Sequence, residues 1–196
     1  MEKQKTILVR KNTYWLSEIG ALFFKYQVGY QVYDYSENAE LVKKGVDLLV
    51  LNHQNIPTYI LCMGNTFPFD KLYFPIMENG KQSRLLSSEA DFVMFYDLNQ
   101  GGVSLIDLPL LQEKINYNYT SGAWKGYKVV DKEHQKGIQV SKDDEVIKEA
   151  LSTYKLNKDL WDKAVSIIKW RIKNKLIHEP KVMETTRIRL PLGKDE

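Results

Sequence analysis

Lys43-Lys44-Gly45-Val46-Asp47-Leu48-Leu49-Val50-Leu51 decides the fold, read with Thr58-Tyr59-Ile60-Leu61-Cys62-Met63-Gly64 a few residues later. A short apolar run that follows a glycine is the pattern of a strand buried within a sheet, because a helix of that length could not bury itself on all sides. Asn52-His53-Gln54-Asn55 supplies a polar turn between the two runs. The pair predicts two strands side by side, with a single carboxylate, Asp47, at the mouth of the first.

Upstream, residues Thr13 to Tyr26 carry Trp15, Ile19, Leu22, Phe23 and Tyr26 at helical spacing, with Asn12 or Thr13 as the cap. Glu18 lies at the edge of that stripe. Gly29 ends the helix, and Gly29 to Tyr35 alternates as a first strand. Downstream, Gly64 to Asp70 reads as a loop, and Leu72 to Met77 as an extended segment that Pro75 confines to an edge or a bulge. Asp91 to Leu98 is a strand, Gly101-Gly102 a turn, and Val103 to Ile106 the returning strand of a hairpin. Asp107 caps a helix that holds Pro109 in its first turn and runs through Glu113.

Ser141 is placed to open a further helix, with Asp144 as the acidic member of a capping box. Asn157 caps a last helix bearing Leu160, Trp161, Ala164, Ile167, Ile168 and Trp170, which stops before Pro180. Thr185 to Leu190 reads as a terminal strand. The expected fold is α/β (α+β), a mixed central sheet flanked by helices, with a core over 1–140 and a helical, basic extension over 141–196 packed on it.

At 196 residues, with 43% hydrophobic and 27% charged side chains, the chain is long and apolar enough for a buried core, which argues against a disordered protein. The aromatic side chains are assigned to that core. Cys62 is the one cysteine, so an internal disulfide is impossible and a reducing, cytoplasmic compartment is expected. His53, His134 and His178 are too scattered for zinc spacing. The opening Met-Glu-Lys-Gln-Lys-Thr lacks an apolar signal core, and no run has membrane-spanning length.

The net charge of +3 is mild, but its distribution is uneven. Between Lys169 and Arg189 stand seven cations against Glu179 and Glu184, a local net of +5. A phosphate backbone would bind there, through Arg171, Lys173, Lys175, Lys181, Arg187 and Arg189, with Trp170 stacking on a base. A solvated helix face accounts for the same run equally well.

The order of elements from Tyr14 to Ile115 resembles the PD-(D/E)XK phosphodiesterase superfamily, the restriction-endonuclease-like nucleases, and is most similar to its small phage-type members. The resemblance is carried by a helix with Glu18, the Asp47 strand, a second apolar strand, and Gly80-Lys81-Gln82-Ser83-Arg84 leading into Glu89-Ala90-Asp91-Phe92-Val93-Met94-Phe95-Tyr96, then a hairpin and the helix from Leu108. It implies a restriction-endonuclease-like fold and a phosphodiesterase ancestry. It also implies a host cytoplasm or a virion as the setting.

In that family two carboxylates hold Mg²⁺ or Mn²⁺ and a lysine steadies the developing charge. Asp47 matches the first metal ligand. The acid-x-Lys triplet of the second strand is replaced here by Leu61, Cys62 and Met63, which leaves the motif degenerate. The resemblance allows Glu18 to stand in as the second metal ligand, Lys44 or Lys81 as the cation, and Asp70 or Glu78 as further ligands. Losing one oriented group costs about 2–4 kcal/mol of transition-state stabilisation, so losing two impairs catalysis. The expected function is a nucleic-acid-binding protein, for DNA or RNA, on a nuclease-like scaffold. The alternatives are a phage assembly component that binds phage or host proteins, and a Mg²⁺-dependent nuclease with relocated residues.

Overall fold

In the structure, a computed structural model describing residues 16–36, 38–65, 70–97, 102–121, 127–132, 135–155, 157–160, 162–163, 166 and 170, a helix over 16–22 (α1) comes first. It widens into a π-helical turn, Phe23–Val28, which Gly29 closes in a left-handed conformation. Then follow β1 (Gln31–Asp34), α2 (Ala39–Lys43), β2 (Leu48–Leu51), β3 (Pro57–Asn65), β4 (Lys71–Glu78), β5 (Lys81–Gln82) and α3 (Arg84–Ser87). Next are β6 (Phe92–Asp97), β7 (Gly102–Asp107), α4 (Leu108–Ser121), β8 (Lys128–Lys132), β9 (Gln135–Ser141), α5 (Glu145–Lys148) and β10 (Leu151–Lys155). Residues 158–160, 162–163, 166 and 170 are helical.

The two apolar runs lie side by side. β2 and β3 pair antiparallel from Leu48↔Ile60 to Leu51↔Pro57. They sit inside a six-stranded sheet of order β1-β2-β3-β6-β7-β10. The β3–β6 pair is parallel and the other neighbours are antiparallel, so the sheet is mixed. A parallel pair needs a crossover, and the chain makes it through β4, β5 and α3. Those crossover strands belong to a second sheet, of order β5-β4-β9-β8. The β4–β9 register shifts between Pro75 and Met77, a bulge that follows from the missing N–H of Pro75.

Alternation along the strands gives the large sheet two apolar faces. Leu48, Val50, Ile60, Cys62, Met94 and Tyr96 pack against Ile19, Leu22, Phe23 and Phe24 of α1 and the π turn. On the other face, Leu61, Val93, Phe95 and Ile106 meet Leu72, Phe74, Ile76, Ile138 and Val140 of the small sheet and Leu108, Leu111 and Ile115 of α4. Phe74 and Phe95 touch edge-on between the sheets, with ring centroids 5.5 Å apart. The expected α/β class, a mixed central sheet flanked by helices, is the architecture adopted. No helix among the described residues is long and apolar enough to cross a membrane.

Gly137 of β9 marks the tightest approach in the small sheet. A Cβ there meets the Phe74 carbonyl oxygen and the Tyr73 ring, the latter at 2.6 Å. The Phe74 carbonyl is main chain and cannot swing away. Gly137→Ala is therefore expected to lose about 2–3 kcal/mol of stability in urea unfolding; an unchanged midpoint would show that the sheet yields.

Several elements differ from the sequence expectation. Tyr26 is 52% exposed, off the stripe that predicts its burial. Each residue of a π turn rotates less than in an α-helix, and Tyr26 falls behind the buried Leu22 and Phe23. Ser141 ends β9 and opens no helix; the short helix α5 starts at Glu145, with the Ile147 and Lys148 N–H groups bonded to the Asp144 carbonyl. Beyond it, β10 pairs with β7 at the sheet edge. The Asp107 cap is present, its Oδ1 accepting from Leu110 N at 2.9 Å, and the helix it starts runs on to Ser121. Trp15, Trp161, Ala164, Ile167, Ile168 and the expected strand Thr185 to Leu190 lie outside the described residues.

Candidate functional site

Asp47 is set in place by a helix end. Asn38 caps α2, its side chain accepting from Glu40 N and Leu41 N. At the other end Gly45 takes a left-handed φ of 75°. Gly45 N donates to the Val42 carbonyl at 3.1 Å, and Val46 N reaches back to the Leu41 carbonyl at 2.9 Å. This is the two-bond Schellman closure, and the contact between residues flanking it is supplied by Leu41 and Val46, which share the inter-sheet core. The chain leaves that turn two residues before Asp47. Main-chain bonds then hold Asp47 on both sides, from its N–H to Ile60 O at 2.9 Å and from Tyr35 N to its carbonyl at 2.7 Å.

The Asp47 side chain is fully buried. Its Oδ2 accepts the Cys62 N–H at 2.8 Å, extending the β2–β3 ladder one step with a side chain. Its Oδ1 accepts from Arg84 Nη2 at 2.6 Å, and that arginine is 25% exposed. Burial pushes the Asp47 carboxyl above its ordinary value, while the Arg84 charge and hydrogen bond and the Cys62 N–H pull it back. The Cys62 thiol is pushed well above its ordinary value, first by burial and then by the charges of Asp47 and Asp34. A thiol so held is a core side chain, not a nucleophile.

The other sequence candidates are distributed around this pair. Leu61, one step beyond the Leu48↔Ile60 pair, is buried in the inter-sheet core, and Met63 packs partly buried against the same cluster. Lys44 pairs with Glu89 at 3.0 Å, both largely in solvent, and Lys81 is exposed on β5. Glu18 is half-buried on α1, the helix that crosses the Leu48–Cys62 face. Arg84, in contrast, comes from α3, whose Leu85 packs in the opposite core. Asp70 is exposed, and Glu78 accepts from Gln135 Nε2 at 3.1 Å. Asp34 accepts from Ser36 N at 2.9 Å and from the buried Ser17 hydroxyl at 3.5 Å.

A Mg²⁺ ion requires about six oxygen ligands in near-octahedral order. The Asp47 carboxylate is bonded to a guanidinium and a backbone N–H, and neither supplies a ligand oxygen. This donor set does not fit the ion. Among the described residues no three His, Cys, Asp or Glu side chains gather at metal-binding distance. Arg84 is the residue that sequence reasoning leaves without a role. Its only local signal is Ser83, which caps α3 by accepting from Leu86 N.

The segment that precedes the basic run is anchored at a second place. Gln27 of the π turn donates to Lys155 O at 2.9 Å and accepts from Asn157 N at 3.2 Å. Asn157 caps the helical residues that follow, accepting from Asp159 N at 3.0 Å, and Leu160 is buried against the α1 core. Lys163 Nζ sits 3.7 Å above the Tyr26 ring, and its hydrogen bond and charge lower the Tyr26 phenol from its ordinary value. Trp170 is 58% exposed. Arg171, Lys173, Lys175, Lys181, Arg187 and Arg189 lie outside the described residues. Comparison of the chain with protein-family models, curated proteins and solved structures returns no match.

Proposed function

We propose that this chain binds nucleic acid through its basic run and does not cleave it. The observation that carries the reading is the Asp47–Arg84 pair: the one carboxylate in the catalytic position is already neutralised from within. Leu61 fills the place of the second acid with hydrocarbon. What the sequence retains for a polyanion is the positive stretch from Lys169 to Arg189 with Trp170 at its start. Leu160 and Lys163, which precede that stretch in the chain, dock on the α1 core and the π turn.

Binding of this kind rests on counterion release and weakens with salt. If the six cations from Arg171 to Arg189 each meet a phosphate, affinity for single- or double-stranded DNA or RNA falls on the order of a thousandfold between about 50 and about 200 mM salt. Joint replacement of Arg171, Lys173 and Lys175 by alanine flattens that slope by roughly half. Titration of labelled oligonucleotides at several salt concentrations measures both, and affinity that ignores salt sinks the reading. A cleavage assay with Mg²⁺ or Mn²⁺ is expected to show no turnover that Asp47→Ala abolishes.

One observation favours a protein partner from a phage or its host instead. Tyr33, Leu49 and Tyr59 stand opposite one another across three strands, with both tyrosines exposed and Ile56 open beside them. The charge bonded to this row is a carboxylate, Asp91 Oδ2 accepting from Tyr59 N at 2.7 Å, which suits a protein better than a polyanion. Failure to bind any nucleic acid at low salt would leave this second reading standing.

A further inference from the structure

We infer that Arg84 is the resident cation of the Asp47 site, a side chain occupying the ground on which the nuclease resemblance would put a divalent metal. The inference concerns this pocket alone and holds whether or not the chain binds nucleic acid. A carboxylate with no exposed surface needs either a proton or a cation beside it. Arg84 Nη2 provides the cation at 2.6 Å.

Arg84 is delivered by a frame that does not depend on Asp47. Ser83 N donates to Ile76 O at 2.9 Å and the Ser83 hydroxyl to Pro75 O at 2.5 Å, fixing the preceding residue to β4. Gln112 of α4 donates to the carbonyls of Leu85 at 3.0 Å and Ser88 at 2.9 Å, fixing the residues that follow. The guanidinium thus reaches the large sheet from a base tied to the small sheet and α4. Arg84 Nε is buried and makes no hydrogen bond among the described residues. Nη2 sits on Asp47 although Nε finds no partner among the described residues, a placement that charge neutralisation explains and simple space-filling does not.

The test is cation rescue in the full chain. At pH 7, Arg84→Ala is expected to melt about 10 °C below the parent, because it strands a buried charge. Ethylguanidinium, a copy of the lost head group, should raise that melting temperature. It should not do so in the parent, nor in Asp47→Asn combined with Arg84→Ala, where no charge is left to neutralise. Arg84→Met keeps the packing of the stem and supplies an independent reading if the alanine variant does not fold.

Among the described residues, the charged or titratable groups that bear on Asp47 are Arg84 from α3, Asp34 from β1 and Cys62 from β3. Without Arg84 the carboxyl is raised further, so the folded state binds a proton more tightly than the unfolded chain. The Arg84→Met deficit must then shrink as pH falls from 7 towards the unfolded value near 4. Rescue confined to variants that retain Asp47, together with that recovery in acid, supports the assignment. A deficit that is constant with pH, or a cation that acts equally on the double variant, would overturn it.

Discussion

Gly45→Ala is expected to cost about 3–5 kcal/mol, one of the two largest single-residue effects in the molecule. Two independent penalties add. The φ of 75° lies in the left-handed region, where a side chain costs roughly 1–2 kcal/mol. The new Cβ would also stand 2.6 Å from Ser88 Cβ and 2.8 Å from Ser88 Cα. The Ser88 main chain cannot retreat, because Glu89 N is bonded to Lys44 O at 2.8 Å and the Ser88 hydroxyl to Gly45 O at 3.0 Å.

Urea unfolding of Gly45→Ala and Gly45→Asn separates the two penalties. Asparagine tolerates the left-handed region, so a purely conformational cost would largely vanish in that variant. The Ser88 contact predicts that it will not. A loss below about 1 kcal/mol in both variants would mean that the turn before Asp47 is not held as described.

Leu61→Glu should be more damaging still, with a loss above about 4 kcal/mol at neutral pH or no folded protein at all. The substitution writes an acid into the place where the nuclease-like motif would have one. In this fold the position is fully buried in the inter-sheet core, next in the chain to Cys62, whose N–H bonds the Asp47 carboxylate. A second charge there has no counter-ion and repels the first. Its stability is expected to recover in acid, where the new carboxyl is neutral, and thermal melts at two pH values measure that recovery. A well-folded Leu61→Glu protein at neutral pH would show that the pocket is wetter and roomier than its packing implies.

The parts of the fold legible in sequence were those whose signals are local. Asp91 to Ile106 announces its hairpin through an unbroken apolar strand, a pair of glycines and a returning strand, and β6 and β7 pair as that pattern requires. The runs at Val46–Leu51 and Tyr59–Met63 announce β2 and β3 by apolarity alone. Helix α2 stayed hidden because it is a single turn, Ala39–Lys43, whose exposed residues carry no periodicity. β8 and β9 stayed hidden because Lys128, Asp131, Lys132 and Lys136 break up their apolar sequence; among the described residues Ile138 and Val140 are the ones of these strands buried in the core.

The candidate site was half legible for the same reason. Asp47 could be singled out because it is a lone acid beside an apolar run. Its partner could not, since Arg84 lies 37 residues away and meets it only after the β4–β5–α3 crossover has folded over the sheet. No pattern of spacing encodes that encounter. The exposed row of Tyr33 and Tyr59 is likewise a product of strand register, invisible until the pairs Tyr33↔Leu49 and Leu49↔Tyr59 are known.

The outermost strand of the large sheet has a bearing on how the protein is made. β10 covers the free margin of β7, yet its five residues follow β7 by more than forty positions. On the ribosome, β7 emerges first and waits with its main-chain donors and acceptors open, an invitation to the wrong partner until Leu151–Lys155 arrives. The slow, error-prone moment of biogenesis is therefore expected between the emergence of these two strands, and chaperone demand should peak in nascent chains that end between them.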